Sequence, residues 1–78
     1  MDKIVIERHF KWGRPAATKY CVSIETESGE LISILGSFLT RDGADRLASE
    51  NGVRLGLPVF VRTLGGKLLD TKDTNRIS

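Results

Sequence analysis

Sulfur and imidazole are almost missing from this chain: Cys21 is its only cysteine and His9 its only histidine. A lone cysteine excludes an intrachain disulfide. One histidine excludes a multi-histidine metal site. No run approaches the ~18 apolar residues that a membrane helix needs. The opening MDKIVIERHF has neither the long apolar stretch nor the small-residue cleavage site of a secretory leader. With its single cysteine, the chain reads as a soluble protein of the reducing cytoplasm, with no membrane partner. Charge of one sign is also scarce. Twelve Lys and Arg against ten Asp and Glu leave a net +2, too little for a strong global field.

Catalytic motifs are missing as well. LGGK is not a nucleotide phosphate loop, which needs a glycine where Val61 stands and a Ser or Thr where Leu68 stands. The carboxylates fall in no calcium-loop spacing. His9 and Cys21 can lie on neighbouring strands as base and nucleophile, but the stronger reading is an outward histidine and an ordinary small core or edge cysteine. The expectation is a protein that is not an enzyme, with no catalytic residues, no metal and no cofactor.

What is present is a pattern of short strands and one helix. In 78 residues, with no repeat and no low-complexity stretch, it fits one domain over 1–71 and a polar tail over 72–78. KIVIERHFKW reads as a strand with Ile4, Ile6, Phe10 and Trp12 on one face, interrupted by Arg8. GRPAAT breaks it, leaving an exposed loop between Trp12 and Tyr20. KYCVSIET is a second strand with Tyr20, Val22 and Ile24 inward. ESGE is a turn with Gly29 suited to positive φ. LISILG is a third strand whose core pair is Ile32 and Ile34.

The helix follows, with Thr40 as N-cap, Asp42 in the first turn and Ala44, Leu47 and Ala48 as its apolar stripe. Asn51-Gly52 is its expected stop after roughly three turns. VFVRT is a fourth strand, LGGK a turn and KLLD a short return. The expected fold is α+β: an antiparallel three- to five-stranded sheet with one short helix on one face, in the order β-β-β-α-β-(β). Tyr20, Val22, Ile24, Ile32, Ile34, Leu47, Val59 and Val61 are its expected core.

Charge is unevenly spread along this order. Residues 1–22 carry Lys3, Arg8, Lys11, Arg14 and Lys19 against Asp2 and Glu7 alone. SIETESGE carries Glu25, Glu27 and Glu30 with no base. One end of the sheet is therefore expected to be basic and another acidic. The densest binding signal is RHFKWGR, whose Arg8, His9, Lys11, Trp12 and Arg14 are the candidate partner-binding residues. Bases attract phosphates or acidic surfaces, and Trp and Arg are frequent interface anchors. Solvated bases beside a core Phe10 and Trp12 would produce the same string.

FLTRDGADRLA after a hairpin, followed by an apolar strand and a GGK turn, resembles a class of small bacterial proteins of unknown function. The likeness covers Lys19 to about Thr71. The first half, three strands and then a helix, also resembles the arm-site DNA-binding domain of tyrosine recombinases, whose sheet enters the major groove. That resemblance implies a nucleic-acid partner. Three function classes follow. The first is a protein-binding module acting by stoichiometric occupation of a partner surface, as phage and mobile-element inhibitors of host defence complexes do. The second is a nucleic-acid binder using residues 8–14. The third is a homodimeric structural protein joined through a free sheet edge at VFVRT or KIVIE.

Overall fold

A computed structural model describes residues 1–11, 14–63 and 66–70, and for residues 9–11 and 14–18 the backbone alone. Expectations for Trp12, for the Phe10 side chain and for the tail at 72–78 lie outside the described residues. The order is β1 (Lys3–Lys11), β2 (Arg14–Glu25), β3 (Leu31–Phe38), α1 (Arg41–Leu55), β4 (Val59–Arg62) and β5 (Leu68–Asp70). The five strands form one sheet in the spatial order β3-β2-β1-β4-β5, so the fold is α+β as expected.

The sheet is mixed rather than purely antiparallel. β1–β2, β2–β3 and β4–β5 are antiparallel, but β1 and β4 run parallel from Ile4 opposite Val59 to Glu7 opposite Arg62. Each hairpin turn reverses the chain, whereas a helical crossover restores its direction. α1 carries the chain back over β2 and β1, and β4 enters beside β1 in the same sense. This topology also corrects the expected free edges. KIVIE is the central strand and VFVRT is covered by β5, so the edges are β3 and β5.

α1 covers one face. Ile4, Ile6, Val22, Ala44 and Ala48 are buried between sheet and helix. Tyr20, Ile24, Leu47, Val59 and Val61 pack against them, as their parity requires, joined by Leu35 and Phe38. Ile32 and Ile34 do not: they are 52% and 61% exposed. Two bulges in β3 are the cause. Val22 faces Gly36 while Ser23 faces Ile34, and Ile24 faces Ser33 while Glu25 faces Leu31. Leu35 and Ile32 are the extra residues, and each one shifts the following side chains to the other face. Leu35 therefore takes the core place expected of Ile34.

Thr40 caps α1 as expected, its side chain accepting from the Gly43 N–H at 3.3 Å. The helix runs past Gly52 for another turn and stops at Gly56, whose φ of 67° is the left-handed conformation of a glycine stop. Gly52 is needed inside the helix for space. A Cβ there would stand 2.9 Å from Val59 Cγ2 and 3.1 Å from the Leu57 carbonyl. Gly43 is similar, with Phe38 Cδ1 2.8 Å from where its Cβ would be. These glycines let α1 lie close on the sheet, at the expense of helix propensity. No helix among the described residues is long and apolar enough to cross a membrane.

Candidate functional site

The strands differ in length, and this difference builds the candidate site. β1 pairs with β4 only over Ile4–Glu7, and β2 pairs with β3 only over Tyr20–Glu25. Beyond those rungs β1 and β2 continue together, with His9 opposite Lys19 and Lys11 opposite Arg14. Among the described residues no third strand accompanies them. The segment expected to be a loop after Trp12 is therefore largely strand, since β2 begins at Arg14. Pro15 falls in the irregular part of the pairing, between the Lys11 and His9 rungs and away from any third strand, where a missing N–H is tolerated. The result is a two-stranded ribbon, residues 8–11 and 14–19, extending from the end of the sheet.

The ribbon carries Arg8, Lys11, Arg14 and Lys19 and no acidic residue. Of the five candidate residues, Arg8 is placed with its side chain: it is exposed at the foot of the ribbon, opposite Tyr20. The backbone brings His9, Lys11 and Arg14 onto the same ribbon. Their side chains, and Trp12 altogether, lie outside the described residues. Arg8 helps to line a hollow of about 270 Å³ with Tyr20, Arg41, Val61, Arg62 and Thr63. Arg41 stands at the start of α1, and its Nε donates to Asp45 Oδ1 at 2.8 Å. The opposite end of the sheet holds the turn Thr26–Glu30, closed by Thr26 N–H to the Glu30 carbonyl at 2.9 Å. Glu27 and Glu30 are exposed there. The expected acidic end is mixed rather than purely acidic, because the Met1 amino group pairs with the Glu27 carboxylate and Lys3 Nζ donates to the Glu27 carbonyl at 3.4 Å.

A second cluster, which sequence reasoning missed, sits on the face that α1 leaves open. Arg62 donates to both oxygens of Glu25, at 2.6 and 3.1 Å, and to Glu7 Oε2 at 3.0 Å. Glu25 is nearly inaccessible and Arg62 is 23% exposed. The Glu25 carboxylate, with help from Glu7, holds the Arg62 guanidinium above its ordinary pKa. Arg62 and Glu25 lie on strands either side of β1, so their pair crosses β1 at the level of Val5, which is fully buried. Cys21, Ser23, Leu31 and Ile34 complete a hollow of about 330 Å³ around this cluster. Its chemistry is self-satisfied: one guanidinium is taken up by two carboxylates. Only the parallel pairing of β1 with β4 brings Glu7 to Arg62, and no local signal in VFVR reveals it.

Cys21 is opposite Glu7, and His9 is one rung pair further along, opposite Lys19. The two are diagonal neighbours on adjacent strands. Among the described residues no group of three or more His, Cys, Asp or Glu side chains could hold a metal ion. No protein-family model, no curated protein and no solved structure matches the chain.

Proposed function

We propose that this α+β protein is a stoichiometric binding module that grips an acidic surface of another protein with residues 8–19, the ribbon strands and the Trp12-Gly13 between them in sequence. One observation carries the reading: the segment richest in bases and aromatics extends from the sheet as a two-stranded ribbon with no acid. A ribbon held by backbone pairing is already ordered, which lowers the entropic cost of binding. Arg8, Lys11 and Arg14 speed encounter with an acidic patch, His9 adds a polar contact, and Trp12 supplies the apolar anchor. Occupation of a surface without turnover is how an inhibitor of a multi-protein host complex acts, and the ribbon suits that task.

A nucleic-acid partner is the second reading, because a two-stranded ribbon has the dimensions of the major groove. Charge places it second. Stable duplex binding rests on many phosphate contacts, whereas the ribbon offers only four Lys and Arg in a chain of net +2.

The test compares the unmodified protein with Lys11→Glu/Arg14→Glu and Trp12→Ala, each first confirmed as folded. Pull-down from the native host with mass spectrometry identifies the partner, and surface kinetics then separate the contributions. Charge reversal is expected to slow association about tenfold or more, most strongly at low salt, and Trp12→Ala to speed dissociation. A partner bound with unchanged kinetics by both variants places the interface elsewhere. A mobility shift of duplex probes at low salt, lost in the charge variant, replaces the protein reading with the nucleic-acid one.

A further inference from the structure

The hollow of about 330 Å³ on the open face holds an uncancelled charge and an unused hydroxyl. In hydrogen bonds its Arg62 is satisfied; in charge the cluster is not. One guanidinium faces two carboxylates, so near neutral pH one negative charge is left over. Lys3, the other base on this face of β1, reaches instead to the Glu27 carbonyl. The excess sits on Glu7. Glu25 gives both oxygens to Arg62 and is nearly sealed, whereas Glu7 gives only Oε2 and its side chain is 34% exposed. Glu7 Oε1 has no partner among the described residues.

Ser23 is an independent observation. It is 7% exposed, and its place opposite Val5 and Ile34 sets it on the open face, where it lines the hollow. Its hydroxyl makes no hydrogen bond among the described residues. No side-chain oxygen there is both sealed and unpaired, so the hydroxyl opens on the hollow. A polar group this buried ordinarily has a partner, and here the partner comes from whatever fills the hollow.

We propose that this hollow binds the ammonium group of a small primary alkylamine. An ammonium supplies the missing positive charge and is a donor only, matched to the two acceptors that lack partners, Glu7 Oε1 and the Ser23 hydroxyl. Leu31 and Ile34 flank the hollow, and a short alkyl chain lies against them. A metal ion does not suit it, since among the described residues no three His, Cys, Asp or Glu side chains converge. An anion is repelled by the excess charge. The inference is independent of what the ribbon binds.

Titration with butylamine hydrochloride near neutral pH, followed by backbone amide NMR shifts, tests it. Saturable shifts at Glu7, Cys21, Ser23 and Ile34 are expected, with a Kd of about 1–10 mM for so small a ligand. Butanol and butyrate keep the alkyl chain and lack the positive charge, and are expected to bind about tenfold more weakly or worse. Glu7→Gln removes the excess charge and leaves the Glu25–Arg62 pair in place. It is expected to weaken butylamine by about tenfold or more, and Ser23→Ala by a smaller factor. Circular dichroism confirms the fold of each variant. Nα-acetyl-lysine amide separates the sources of an ammonium group. Tighter binding of butylamine supports a free amine, whereas tighter binding of the capped lysine overturns it in favour of a polypeptide side chain. No saturable shift up to about 100 mM butylamine, or butanol bound as well as butylamine, overturns the proposal. So does a folded Glu7→Gln with unchanged affinity.

Discussion

Gly43 and Gly52 are the residues at which helix propensity and packing disagree most. Alanine in place of a helix-interior glycine ordinarily stabilises by about 1 kcal/mol. At Gly52 the added methyl meets Val59 Cγ2 at 2.9 Å and a backbone carbonyl at 3.1 Å, and neither can swing away. Overpacking of that kind costs roughly 1–3 kcal/mol, so Gly52→Ala is expected to destabilise. Ser49→Ala, on the exposed side of the same helix, should stay within about 0.5 kcal/mol. Urea unfolding midpoints decide the matter, and a stabilised Gly52→Ala would mean that α1 does not lie this close to the sheet. The sequence reads Gly52 as a stop because Asn-Gly is a common helix end. What overrides the signal is Val59, beyond the helix and on another element. Thr40 was legible because a cap needs only its own first turn.

At the scale of elements, local patterns were read well and pairings between distant segments were not. The hairpin of β2 and β3 follows from alternation and a turn whose Gly29 has φ 92°. The bulges at Ile32 and Leu35 leave no mark in composition, because one extra residue changes the face and not the residue types. The ion cluster depends on β4, whose place beside β1 is set by the path of α1. Its consequence can be measured. Arg62→Met strands Glu25 and Glu7 on a partly covered face. The loss is expected at roughly 2–4 kcal/mol, below the range for a fully buried pair because Arg62 is partly open to water. Adding Glu25→Gln should restore at least half of it. The sign of the pH effect follows from the charges. In the parent protein the raised Arg62 pKa contributes stability that is lost only in strong alkali. In Arg62→Met the deficit should instead shrink as pH falls and the stranded carboxylates take up protons. An equal deficit at pH 4 and pH 7, in chemical denaturation, would remove the cluster from the account of stability.

The whole molecule divides into a packed part and an extended part. The α+β class and the helix on one face were legible because each rests on local periodicity. The extended ribbon was not, because it depends on where β3 and β4 stop pairing. The core uses β1 up to Ile6 and β2 from Tyr20 onward. Residues 10–18 contribute to no rung shared with β3 or β4. Replacing them with Asn-Gly between the paired His9 and Lys19 should therefore preserve the fold. The substitute is a favoured two-residue hairpin turn, and the shorter loop costs less to close. Stability is expected within about 1 kcal/mol of the parent. Binding of the partner through Lys11, Trp12 and Arg14 is expected to be abolished. Denaturation and partner binding measured on this one variant separate the role of the packed sheet from that of the ribbon. Loss of cooperative unfolding would show that the ribbon is needed for the core. Partner binding that survives the replacement would move the interface off the ribbon altogether, with the exposed polar face of α1 as the surface to vary next.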